Sequence, residues 1–255
     1  MCNRRALRHR MTDLEYYYSA QYSEEVDGMT EGDGDWEPAY HINAFDHSPA
    51  PVLTSREPGR IRLFNWGLIP YRTRSLEDAL KTRQQTLMAR TEEMYEKYSY
   101  MELAKAGKRC LIPTSGYFEH RWLDEKGKVK IPYHIFMKDR PIFSIGGLYS
   151  KWTDPKTGKD FFTYTVCTTR ANELTGMIHN TGLRMPVILP TKEAERAWLD
   201  TSLKQDNVLE LCEPISADLM DAYTVSRIIT GKNANVPQAI ERYTHPELGN
   251  TSLFE

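Results

Sequence analysis

The second residue of the chain is a cysteine. If Met1 is removed, Cys2 carries a free α-amine and a thiol on adjacent carbons, a 1,2-aminothiol that no internal cysteine offers. The amine can condense with an aldehyde to an imine, and the thiol can close on the imine carbon to give a five-membered thiazolidine. A free α-amine has a pKa of about 8 and a thiol one of about 8.5, so a useful fraction of each is reactive near neutrality. Chain termini are commonly frayed and tolerant of change. Cys2 therefore acquires meaning only from the residues that a fold can bring to it. Arg4, Arg5, Arg8 and Arg10 follow closely. They form either a solvated basic arm or a cationic pocket that lowers the thiol pKa and attracts phosphate.

Two distant residues are typed for proton transfer. Glu119 lies in the run Arg109 to Trp122 (RCLIPTSGYFEHRW), among Tyr117, Phe118 and Trp122. A carboxyl lodged against aromatic rings loses hydration, its pKa rises, and it can act as a general acid near neutrality. Strand alternation puts Glu119 on the face of Tyr117; the competing reading is a surface glutamate on an edge strand. His179 follows a short helical stretch and precedes Asn180-Thr181-Gly182 and the apolar run Met185 to Pro190. A lone histidine is usually structural, but one on a loop between a helix and a core strand is better placed for catalysis.

These positions need a scaffold, and the composition allows one. The chain has 255 residues, 40% of them hydrophobic and 11% aromatic, enough for one large domain or two small ones. The net charge of -2 excludes a globally basic nucleic-acid binder but permits a local basic groove. Cys2, Cys110, Cys167 and Cys212 are scattered without a CxxC pair, which points to neither a zinc site nor a disulfide framework. No apolar run approaches the roughly 20 residues of a membrane span, and no signal-peptide stretch is present, so the expected location is cytoplasmic with reduced thiols.

Helices are predicted over Thr12 to Glu25, Leu76 to Thr82, a tyrosine-rich stretch that follows Glu92 and ends near Gly107, Ala171 to Ile178, and Thr191 to Leu199 with Thr191 as N-cap. Strands are predicted at Tyr40 to Ala44, Pro49 to Leu53, Arg60 to Pro70, Cys110 to Pro113, Tyr117 to Trp122, Pro132 to Met137, Pro141 to Tyr149, Phe161 to Thr169 and Met185 to Pro190. Residues 27 to 38 read as a loop. This order is not a βαβ alternation. It implies an α+β fold, mixed and mainly antiparallel, with a β-barrel-like core and peripheral helices.

Three segments then align: Met1-Cys2 with Arg4, CLIPTSGYFEHRW, and IHNTGLRMPVIL. Together they resemble the SRAP family, SOS-response-associated proteins that act on abasic sites in single-stranded DNA. Trp66-Gly67-Leu68-Ile69-Pro70, Ala89-Arg90 with Glu92, Val225-Ser226 and Asn235-Val236-Pro237 extend the resemblance to about Tyr243. It implies one domain over residues 1–243 with a tail at 244–255, catalytic roles for Cys2, Glu119 and His179, and a DNA-binding set of Arg4, Arg90, Trp66 and Met88. It implies neither metal nor cofactor, no membrane partner, a monomer, and association with the nucleoid when engaged. The sequence departs from the family at Asn3, where glycine is usual, at Met88, where an asparagine is usual, and at Asn43-Ala44-Phe45-Asp46-His47, where a DNA-wedging Asn-x-Ala-Pro-Gly loop is usual.

The implied chemistry starts with Glu119 helping to open the deoxyribose ring. The Cys2 amine then forms an imine and the thiol closes a thiazolidine, a crosslink that shields the lesion. His179 shuttles protons, and β-elimination from the imine would give lyase activity. Two other classes fit the same residues: a thiol peptidase or amidohydrolase using Cys2, and a non-catalytic single-strand binder.

Overall fold

The computed structural model describes residues 2–23 and 36–249. In chain order the strands are β1 (Arg4–Leu7), β2 (Gln21–Tyr22), β3 (Ala39–Asn43), β4 (Pro49–Thr54), β5 (Arg60–Trp66), β6 (Met88–Arg90), β7 (Arg109–Thr114), β8 (Gly116–Trp122), β9 (Lys130–Met137), β10 (Phe143–Thr153), β11 (Asp160–Arg170), β12 (Arg184–Pro186), β13 (Ile188–Leu189) and β14 (Met220–Thr224). The helices are α1 (Met11–Tyr18), α2 (Leu76–Arg83), α3 (Met101–Lys105), α4 (Glu173–Ile178), α5 (Lys192–Leu199) and α6 (Gln205–Glu210).

One sheet runs β12-β11-β10-β7-β4-β5-β2, and a parallel pairing of β11 with β5 closes the five strands β11, β10, β7, β4 and β5 into a barrel. A second sheet runs β14-β9-β8-β1-β3 and is antiparallel throughout. The α+β class with a mainly antiparallel barrel core, expected from the alternating patterns, is the observed one. None of the described helices is long and apolar enough to cross a membrane.

Period-two alternation fills the barrel. α5 covers its outside, where the Trp198 indole donates to the Cys110 carbonyl and packs on Gly146. The opposite faces of the same strands therefore point inward. There Trp66 stacks on Tyr164 at 5.7 Å, and Phe64 meets Phe162 at 5.3 Å and Tyr149 at 6.0 Å. Arg5 enters one end of the barrel from β1. It donates to the Pro113 carbonyl at 2.7 Å and to the Tyr164 hydroxyl at 3.2 Å, with Trp66 beneath its guanidinium.

That placement corrects the reading of residues 2 to 10 as an arm. β1 lies between β3 and β8, with Arg5 opposite both Ile42 and Tyr117. Alternation was hidden because the inward residue is a charged one. Other differences have local causes. α1 ends at Tyr18 with Ser19 in the left-handed conformation, and Glu25 and most of the loop at 27 to 38 lie outside the described residues. Of the tyrosine-rich stretch only α3 is helical; turns precede it. β7 and β8 do not form a hairpin but part into different sheets at Ser115. Met185 to Pro190 is split between β12 on β11 and β13 on β10.

Candidate active site

Cys2 stands at the mouth of β1, pinned rather than frayed. The next residue, Asn3, accepts from the Ala44 amide at 2.9 Å, and Arg4 pairs with Asn43. Glu119 sits in the middle of β8 opposite Tyr133. His179 caps α4, whose other end is held by the Asn172 side chain accepting from the Thr175 amide. A strand start, a strand middle and a helix end thus meet at one point. The thiol, a Glu119 oxygen and a His179 ring nitrogen all lie within 4.8 Å of one another. Cys2, Glu119 and His179 are only 4%, 2% and 4% exposed.

The His179 tautomer follows from its partner. Nδ1 lies 2.9 Å from the Arg184 carbonyl, which can only accept, so Nδ1 carries the proton and Nε2 is the basic nitrogen of the neutral ring. Gly182 leaves room for that nitrogen: a Cβ there would fall 2.3 Å from Nε2. Glu119 Oε1 is 3.7 Å from Nδ1, longer than a hydrogen bond.

The electrostatics of the thiol reverse the expectation from the basic segment. Burial pushes the Cys2 thiol well up, the negative charge of Glu119 adds to this, and the thiol donates a hydrogen bond to that carboxylate. The N-terminal amine and Arg184 pull the other way without offsetting this, and the arginines of the basic segment do not add to them. Arg5 is inside the barrel. Arg4 faces Glu119 and Asp46, and its pKa is lowered by burial although both carboxylates oppose the shift. Burial, with Arg4 second, depresses His41 and His120 to about 4, so neither adds a cation at neutral pH to Arg4 and Arg184 beside the cluster. Cys2, Glu119 and His179 are also of metal-ligating types, close enough to share one ion.

Two grooves adjoin the cluster. One, about 570 Å³, is lined by Cys2, Phe45, Met88, Arg90, Thr168 and Arg184 among others. The other, about 450 Å³, is lined by Arg4, Glu119, His120, Trp122, Lys130 and His179 among others. Of the sequence-derived DNA set, Arg4, Arg90 and Met88 reach a groove wall. Trp66 does not. It is 1% exposed, its indole donates to the Leu87 carbonyl at 2.8 Å, and its ring is spent on Tyr164 and Arg5. The expected groove position of Trp66 is corrected: it lines neither groove and has a packing role inside the barrel.

That role reaches the groove through the next residue. The Trp66 carbonyl accepts from His47 Nδ1 at 2.7 Å and from Arg83 at 3.3 Å, which ties down the loop presenting Phe45, 48% exposed, over the groove. Gly67 has φ +104°, and a Cβ there would lie 2.7 Å from His47 Nδ1 and 2.9 Å from the Arg83 carbonyl. Gly67→Ala is expected to cost about 1–3 kcal/mol of stability, measured by urea denaturation; an unchanged midpoint would contradict this bracket.

Sequence reasoning missed Arg184. It grips Glu92 with two bonds of 2.6 and 2.9 Å, which holds that carboxyl below its usual range, while its own carbonyl fixes His179. The signal was an arginine immediately before a buried strand, with an unassigned glutamate near Arg90. Also missed were Gln84, Gln85 and Thr168, polar groups on the wall that contains Met88.

The chain belongs to the SOS response associated peptidase (SRAP) family, whose model matches residues 1–231. It is similar to the abasic site processing protein YoqW of Bacillus subtilis, 34% identical over 212 residues, covering 83% of this chain and 89% of that one. It is also similar to the abasic site processing protein HMCES of Gallus gallus, 28% identical over 236 residues, covering 82% and 67%. Among solved structures, a protein from Bacteroides thetaiotaomicron superposes with a TM-score of 0.83 at 37% identity, covering 95% of this chain and 100% of that one.

Proposed function

We propose that the protein processes abasic sites in single-stranded DNA by linking Cys2 covalently to the lesion as a thiazolidine. The observation that carries this reading is the meeting of Cys2, Glu119 and His179 within 4.8 Å, beside two grooves. The printed names of the relatives support the substrate.

Each residue has a step. In its protonated form Glu119 gives a proton to the ring oxygen of the closed sugar while His179 Nε2 takes the proton of the C1′ hydroxyl, and the ring opens to the C1′ aldehyde, leaving Glu119 as the carboxylate that accepts from the thiol. With Met1 removed, the Cys2 amine adds to that aldehyde, and loss of one water leaves an imine. The sulfur then bonds to the imine carbon. Its proton leaves along the thiol–carboxylate hydrogen bond to Glu119, and the imine nitrogen gains the proton held by His179 to become the ring amine. One aldehyde, one amine and one thiol give one ring and one water. His179 Nε2, opposite the fixed Nδ1–H, accepts and returns protons during imine formation. The raised thiol pKa suits this order, because a neutral thiol waits while the amine reacts first. It weighs against a thiol peptidase, which needs a thiolate paired with histidine; here the thiol bonds to Glu119 and His179 bonds to Arg184.

The protein acts as a monomer on one strand, with Arg4 and Arg90 on phosphates and Phe45 stacked on an unpaired base. Arg90→Ala is expected to weaken single-strand binding and to lower the slope of log affinity against log salt by about 0.7. A salt titration followed by fluorescence anisotropy checks this, and an unchanged slope would remove Arg90 from the phosphate set. The reading as a whole is tested by incubating Met1-processed protein with a single-stranded oligonucleotide bearing one abasic site. A band that survives denaturing electrophoresis is expected; none forming with the intact site would overturn it.

A further inference from the structure

The barrel has a second end, opposite the one that Arg5 fills. A cavity of about 560 Å³ opens there, within the size range of small-ligand sites at barrel mouths. Its floor is aromatic. Phe64, Phe162 and Tyr149 form a continuous group, and the Arg62 guanidinium lies 4.1 Å from the Phe162 centroid, extending the flat surface. Its rim is cationic. Arg62 is balanced by Glu57 at 3.5 Å and Lys151 by Asp160 at 2.6 Å. Arg56 and Lys108 also line the cavity, and neither has an acidic partner among the described residues.

A flat ring system seated on this floor would stack on Phe162 or Arg62. Its attached anion would meet Arg56 and Lys108. The carboxylates of Glu57 and Asp160 offer acceptors for amino or hydroxyl hydrogens. We propose that this mouth is a binding site for a nucleoside phosphate, distinct from the Cys2 cluster. The two share the barrel but not an end: β11 carries Phe162 at the mouth and Thr168 at the Cys2 groove, about 20 Å apart along an extended strand. The nucleotide can be a free mononucleotide or the 5′-phosphorylated end of a DNA strand, since both present one base and one exposed phosphate.

The test is a calorimetric titration of the full chain with deoxyadenosine 5′-monophosphate, deoxyadenosine and inorganic phosphate. The nucleotide is expected to bind at millimolar concentration or below, with each half-ligand about tenfold weaker or worse. Arg56→Glu combined with Lys108→Glu, both on the cavity rim, is expected to weaken the nucleotide about tenfold or more, and Arg90→Ala to leave it unchanged. A 5′-phosphorylated oligothymidine that loses affinity in the same double variant assigns the strand end as a source; one that does not assigns the free nucleotide. Absence of nucleotide binding overturns the proposal. So does binding that Arg90→Ala weakens and the double charge reversal does not.

Discussion

Cys2→Ser is expected to abolish the stable adduct with abasic DNA while leaving DNA binding intact. The hydroxyl is close to the thiol in size and can donate to Glu119 in its place, so the fold should tolerate the change. The α-amine survives, and imine formation with it. The variant should therefore still be trapped on the DNA by borohydride reduction, and strand cleavage by β-elimination should persist, because the imine is no longer drained into the ring. A protein that retains Met1 should lose the ring, because its terminal amine has no thiol on the neighbouring carbon. Denaturing electrophoresis with and without borohydride separates these outcomes. A Cys2→Ser protein that gave a stable adduct without reduction would contradict the assignment of sulfur.

Glu119→Gln is expected to slow adduct formation by about 10²–10⁴-fold, the usual worth of a positioned general acid. The amide keeps the shape of the side chain but cannot deliver a proton to the ring oxygen or take one from the thiol. A second readout separates chemistry from structure. The charge of Glu119 and its hydrogen bond both raise the Cys2 thiol pKa. A raised pKa means that the thiolate appears only as pH climbs well into the alkaline range. Removing the carboxylate should move that rise to lower pH, leaving only burial to oppose ionisation. The pH profile of Cys2 alkylation by iodoacetamide, compared at equal fold content, reports the shift. An unchanged profile would mean that the two groups do not interact.

The scaffold was largely legible where alternation is clean. β5, β9, β10 and β11 carry aromatic and β-branched residues at period two, and the Thr191 N-cap marks the start of α5 as expected. The second residue was legible as chemistry but not as structure. β1 reads as a polar arm because its inward residue is Arg5, whose burial depends on a carbonyl, a hydroxyl and a ring from three other strands. No local pattern encodes that. The same limit hid the thiol's environment: a basic sequence around Cys2 predicts a lowered pKa, but the strongest charge acting on it is that of Glu119. Trp66 failed as a DNA contact for a related reason, since a tryptophan in an apolar strand serves packing before recognition. Arg184 shows the converse. Both it and Glu92 stood in recognisable segments, but their pairing across β12 and the turn after β6 needed the fold.

The central claim, that the aminothiol of Cys2 closes on an abasic aldehyde, is tested most directly by intact mass. Met1-processed protein incubated with an abasic single-stranded oligonucleotide should give one new species, at the summed masses of protein and oligonucleotide less one water. It should resist denaturation without reduction and be absent from Cys2→Ser. A species at the full summed mass, or one formed equally well with Met1 retained, would contradict the account.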